Sequence, residues 1–333
     1  MTRFFLASLG LTILAVVCIL PLNATAEVNS DPRAVKIVTS DIPNFWRAFD
    51  DAAKSTNPAL TYGVEYFAPG TPGLWGFVPD RLVSPAYFAS VVEKNRAYYL
   101  AARPAMMRIA DERAAILADL QRYKQVYPQA EFPDIYFVVG ALSSAGTSVD
   151  RVGLVLGAEM LSRPADLSGI FMPGFNENVL STIEWIPPIV AHELTHFNQR
   201  DADEDTLLDA SIYEGTAEFI SQLVDGHNAV PTQWHFGCAH EAELWALFQQ
   251  QMNSSDPATA RPWLFSYDTG PLGAPPFIGY WIGSRIVQTY YDRQIDKQTA
   301  IAAMLHIKDF AAFLKASGYP EQRPPCAPQP RVD

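Results

Sequence analysis

Basic charge is scarce in this chain of 333 residues: 24 Lys and Arg stand against 36 Asp and Glu, a formal net charge of −12. No basic run breaks the acidic excess, which excludes the phosphate-neutralising surface that nucleic acid or anionic lipid requires. Internal repeats are absent, so a solenoid or propeller is excluded. After the first residues no apolar run approaches the length that spans a bilayer, which excludes a multi-span membrane protein. Cysteine is nearly missing, at three in the whole chain. Apolar residues are plentiful at 49%, enough for a large core, and nothing in the composition suggests disorder or a fibre.

The one long apolar run is "MTRFFLASLGLTILAVVCILPLNATA". A positive start at Arg3, an apolar centre and Ala24-Thr25-Ala26 are the three parts of a secretory signal peptide. Cleavage after Ala26 is expected, giving a signal peptide over 1–26 and an exported protein, periplasmic or secreted, with no stable membrane insertion. A lipoprotein reading would use Cys18, but Ala15-Val16-Val17 lacks the usual small residues before it. Removal of Cys18 leaves Cys238 and Cys326, a natural disulfide pair in an oxidising compartment. The bridge would tie the tail "PPCAPQPRVD" to the body.

The order of elements predicts an α+β fold, mostly helical, with a small β-sheet next to the motif helix and a helical C-terminal part. An N-terminal helical region over 27–130 precedes a second region over 131–333, and the two could form one compact domain. "IPNFWRAFDDAAK" has helical apolar spacing, "YFAPGTPGLWGFVPD" reads as a packed loop, and Pro104 is expected to separate two helices. "FPDIYFVVGALS" and "DRVGLVLGAEML" read as neighbouring strands joined by the turn-rich "SSAGTSVD".

"AHELTHFNQ" then places His192 and His196 four apart in an apolar helical frame, one turn apart on one face. Two imidazoles so placed can hold one Zn2+ ion, and Glu193 beside the first is positioned to act as general base on metal-bound water. The plain alternative is two surface histidines on an amphipathic helix. A third ligand is needed, and Asp201, Asp203, Glu204, Asp205, Asp209, Glu214 and Glu218 are the downstream acids. In "SIYEGTAEF" Glu214 and Glu218 lie four apart on an apolar helix face, where a charge is costly unless paired or metal-bound. Gly215, Thr216 and Ala217 are small and would let this helix approach the first.

"HELTH" followed by "YEGTAEF" resembles the gluzincin metallopeptidases, and especially small bacterial predicted zinc-dependent proteases, over about Ile135 to Asp292. The resemblance implies Glu214 as third metal ligand and Glu218 as the carboxylate orienting a ligand histidine, with the reverse assignment left open. It also implies a tyrosine or histidine supporting an oxyanion. Of His235, His240, Tyr267, Tyr280, Tyr290 and Tyr291, Tyr280 is preferred because Gly279 and Gly283 flank it near a helix start. Arg285, one turn on, reads as half of an internal ion pair. The strand "RVGLVLG" would be the edge against which such enzymes lay an extended substrate. The expectation is therefore an exported zinc metallopeptidase acting on a peptide or protein substrate. The alternative is a zinc-stabilised, catalytically inactive exported binding or scaffold protein.

Overall fold

The structure is a computed structural model that describes residues 28–172, 175–199, 204–227, 231–266 and 268–327. The expected leader, with Cys18, lies outside them. The first half holds β1 (Ile37–Val38), α1 (Asp41–Ala52), α2 (Pro58–Tyr62), α3 (Pro72–Phe77), α4 (Pro85–Lys94), α5 (Arg96–Met106), α6 (Arg113–Val126), β2 (Ile135–Val138), β3 (Gly146–Val149) and β4 (Gly153–Gly157). The second half is helical: α7 (Ile186–Asn198), α8 (Leu207–Asp225), α9 (Pro231–Ala239), α10 (Glu241–Gln251), α11 (Pro257–Leu264), α12 (Ile278–Arg293), α13 (Lys297–Leu305) and α14 (Phe310–Ser317). This is an α+β fold, mostly helical, with one small mixed sheet.

The sheet order is β1-β2-β4-β3, with β1 and β4 parallel to β2 and β3 antiparallel to β4. Every residue of β4 is buried, because "GLVLG" has no polar position to turn toward water and both sheet faces are covered. It is therefore a central strand. The edges belong to two-residue β1 and to β3, the latter inside the "SSAGTSVD" stretch expected to be a linker. Edge strands keep polar residues that discourage further pairing, so the half-exposed "GTSV" carries no apolar signal. The packed loop expected over "YFAPGTPGLWGFVPD" contains α3. Its Pro72 starts the helix under a Thr71 cap, and Gly73 lies where a Cβ would sit 2.2 Å from Tyr136 of β2. Pro104 sits within the last turns of α5 and does not separate two helices; the helix ends at Met106.

One apolar cluster runs from Val35 to Tyr319, so both halves of the chain share a core. The tightest contact in it is between α8 and α12. A Cβ on Gly215 would lie 2.2 Å from the Gly283 carbonyl carbon, and one on Gly283 would lie 1.6 Å from the Ser211 carbonyl oxygen. No side chain fits there, and the two backbones touch. Gly215 thus admits α12, not α7 as the sequence suggested. The α7–α8 approach is fixed elsewhere, by the Ser221 hydroxyl donating to the Pro188 carbonyl at 2.6 Å.

The C-terminal segment is fastened twice. Cys238 and Cys326 form a disulfide with 5.5 Å between their Cα atoms. Beside it the buried Arg285 guanidinium pairs with Glu241 at 3.0 Å and donates to the Pro324 carbonyl at 2.7 Å. Arg285 is thus an internal partner, as its sequence context suggested. The bridge spans 88 residues, and closing a loop of that length in the unfolded chain is worth about 2–5 kcal/mol. Replacing both cysteines by serine should lower the unfolding free energy by that amount in urea titrations; an unchanged midpoint would contradict it.

Candidate metal centre

Helix α7 starts with Pro187 and Pro188 in its first turn, where a missing N–H costs nothing. It runs unbroken through His192 and His196, whose Nε2 atoms converge to 3.0 Å. Helix α8 begins at a capping box formed by Thr206 and Asp209, which spends Asp209 on the helix start. Two turns on, Glu214 Oε2 stands 3.1 Å from His196 Nε2 and 3.4 Å from His192 Nε2. These three residues form the one His, Cys, Asp and Glu group among the described residues that could hold a metal ion. A tetrahedral ion bound at about 2.0–2.1 Å to each donor spaces those donors about 3.3–3.4 Å apart. The triangle of 3.0, 3.1 and 3.4 Å is close to that size, and its donor set of two imidazoles and a carboxylate suits zinc.

The far side of each imidazole is also occupied. His196 Nδ1 lies 2.7 Å from Gln199 Oε1, and Gln199 donates in turn to the Tyr213 carbonyl at 2.9 Å. His192 Nδ1 lies 3.4 Å from Glu218 Oε1. An Nδ1–H committed to an acceptor leaves the Nε2 lone pair pointing at the triangle. Tyr213 stacks on the His196 ring at 4.7 Å, and Tyr280 stacks on His192 at 6.2 Å. Gln199 was not foreseen from the sequence; its position three residues after His196 was the available signal.

Burial and charge compete throughout the cluster. Burial works to lower both imidazoles, but the Glu214 carboxylate holds them raised, with Glu218 adding to the effect on His192. Burial likewise works to raise Glu214, yet the histidines hold it well below the ordinary carboxylate range. Glu193 is pushed up by burial, partly offset by the two histidines. Burial, then the surrounding carboxylates, drive the Tyr280 hydroxyl well above its usual range.

The other foreseen residues scatter. Asp201, Asp203 and Tyr267 lie outside the described residues. Tyr290 packs on Phe313, Tyr291 on Phe219, and His240 on Phe236. His235 and Asp205 do not line the cavity in front of the triangle, whereas Glu193 and Tyr280 do. That cavity measures about 500 Å3 and is walled by residues 143–147, Ile189, Phe277 and Arg81. The Glu193 side chain presses on Gly146, where an added Cβ would come within 2.7 Å of it. Gly157 N–H donates to the Ala145 carbonyl, so antiparallel alternation turns the backbone groups of Gly146 and Ser148 away from β4, and the Gly146 carbonyl accepts from the Ser144 hydroxyl at 2.7 Å.

A family model described as gliding motility protein GldB matches residues 38–321. The chain belongs to that family. No curated protein and no solved structure matches it. The match spans the N-terminal helices and the motif helices together, and it overturns the metallopeptidase resemblance. The hydrolase and metalloprotease assignments fall with it, and with them peptide hydrolysis through a zinc-bound water activated by Glu193. The physical reason is that H-E-x-x-H encodes a donor spacing on a helix. Spacing alone carries no reaction. Membership in this lipoprotein family places the chain among exported envelope proteins. Among the described residues no helix is long and apolar enough to cross a membrane.

The cavity wall depends on Glu159, a fully buried carboxylate just after β4. It accepts from the N–H groups of Gly140 at 2.6 Å and Leu142 at 3.0 Å, while the Tyr99 hydroxyl donates to the Gly140 carbonyl at 2.8 Å. Burial raises Glu159 to about 7, against the lowering effect of those backbone groups. A carboxyl raised above its unfolded value binds its proton more tightly in the native state. Its stabilising effect is full below about pH 4.5 and is lost as pH rises through about 7. Urea midpoints of the wild type should therefore fall between pH 5 and pH 8. Glu159→Gln should flatten that slope, and an unaltered slope would contradict the assignment.

Proposed function

We propose that this is an exported, non-catalytic binding or scaffold protein of the cell envelope, periplasmic or secreted, stabilised by one zinc ion on His192, His196 and Glu214. The observation carrying the reading is the donor triangle, with both imidazoles braced from behind by Gln199 and Glu218. A bound divalent ion would neutralise Glu214 and leave one coordination position facing the cavity. The chain's own residues do the rest. Gln199 and Glu218 hold the imidazole orientation, Tyr213 and Tyr280 stack on the rings, and the Ser221–Pro188 hydrogen bond keeps α8 beside α7. Metal binding in such a site is folding energy, because the unfolded chain has no preformed triangle.

A polypeptide partner fits the surface better than a small molecule or nucleic acid does. The backbone N–H groups of Gly146 and Ser148 turn away from β4 and can take up an added strand, and Gly146 borders the same cavity. The acidic excess of the chain argues against nucleic acid.

Purified protein should hold one equivalent of zinc by elemental analysis, and its removal with a chelator should lower the melting temperature. Glu214→Ala should lose the ion. Glu218→Ala should keep it with affinity weaker by about 10–100-fold, as expected for a partner behind a ligand. Glu193→Gln should keep it unchanged. Wild-type protein free of metal after zinc loading would refute the reading.

A further inference from the structure

Away from the metal triangle, Asp119 is buried in the middle of α6, its side chain 1% exposed. Its Oδ1 takes a guanidinium N–H of Arg122, whose Nε donates to the Val224 carbonyl of α8 at 2.7 Å. Its Oδ2 is closed off from water and accepts from no N–H or O–H group among the described residues. Besides Arg122, the group within hydrogen-bonding reach of this carboxylate is a second acid, Asp225, the last residue of α8. The Asp225 side chain is 12% exposed and lies 2.7 Å from His227 Nδ1. His227 itself is exposed, and its ring meets Trp185, the residue before α7, edge to face.

Two carboxylates in contact have no hydrogen bond to share unless one of them holds a proton, and both ionised in a buried site repel each other. Two charged groups dominate at Asp119, Asp225 from α8 and Arg122 from α6 itself. No group of α7, α13 or the short turns Pro32–Ala34 and Ile109–Glu112, which also pack on α6, matches either. One guanidinium balances one carboxylate and leaves the other over. The end of α8 worsens the imbalance, because a negative charge is unfavourable at a helix C-terminus. We propose that Asp119 and Asp225 share one proton, that this proton clamps the C-terminal end of α8 to α6, and that its loss on the alkaline side of neutrality releases that end to water. One carboxyl donates, the other accepts, and Arg122 neutralises the single charge that remains. When hydroxide takes the proton, two negative charges face one guanidinium, and Asp225, nearer the surface, is the one that can move out. The clamp does not depend on the zinc site, although the same helix carries Glu214 about three turns earlier. Burial, then Asp225, raises Asp119 from 3.8 to about 7, so its stabilising effect is full below about pH 3.8 and is lost as pH rises through about 7.

Amide hydrogen exchange of the full mature chain, read by mass spectrometry on the peptide that ends α8, tests the clamp. Asp119→Asn keeps an acceptor for Arg122 and supplies an N–H to Asp225, so it holds the contact without the proton. Wild type and variant should exchange alike at about pH 6. Above about pH 7 the wild type should exchange faster than the variant, by up to about tenfold per pH unit. Glu159→Gln should leave that difference in place, which separates the clamp from the pH dependence of Glu159. Equal exchange of wild type and Asp119→Asn at about pH 8.5 overturns the proposal. A second measurement needs no variant. Wild type carrying carbon-13 at its aspartate carboxyls should show one that titrates near pH 7 by NMR, against about 3.9 for an unperturbed aspartate. A spectrum in which every aspartate titrates below about pH 5 overturns the proposal as well.

Discussion

The arrangement of this protein depends on one contact, the meeting of α8 and α12 at Gly215 and Gly283. Their backbones approach so closely that no Cβ can be added on either side. Each glycine sits beside a residue of the candidate metal site: Glu214 precedes Gly215, and Tyr280 lies one turn before Gly283. The approach brings the Tyr280 ring over His192 and backs Glu214 against a rigid neighbour. A site with donors about 3 Å apart needs that rigidity, because a shift of an ångström would open the triangle.

Charge sets the second constraint. Three carboxylates and two imidazoles are gathered in a buried pocket, where unpaired charge is expensive. The opposed effects on Glu214 and the histidines mean that each tolerates burial because of the other. A divalent ion resolves the same problem with stronger bonds. The cluster is thus comprehensible as a metal centre without any reaction being assigned to it. That separation matters, because family membership points to gliding motility and away from peptide hydrolysis.

Much of the centre was legible in the sequence. Helical spacing put His192 and His196 on one face, and the apolar context of Glu214 and Glu218 singled them out from the solvated acids before α8. The central strands β2 and β4 were legible because both are apolar and β-branched. β3 was not, since a half-exposed edge looks like a linker, and two-residue β1 is too short to carry a pattern. Gly215 was legible as small but not as facing α12, because the partner of a small residue is decided by tertiary packing. Arg81 gave no signal at all. Its place beside the cavity is set by the turn at Val78–Leu82, more than a hundred residues before the histidines. The motif showed what could bind an ion, and only comparison over residues 38–321 showed the family.

X-ray absorption at the zinc edge of the purified, zinc-loaded protein tests the central claim most directly. Zinc on His192, His196 and Glu214 should show a shell of nitrogen and oxygen donors at about 2.0–2.1 Å with the scattering pattern of two imidazoles. A sulfur shell near 2.3 Å, or a spectrum matching hydrated zinc in the buffer, would contradict it.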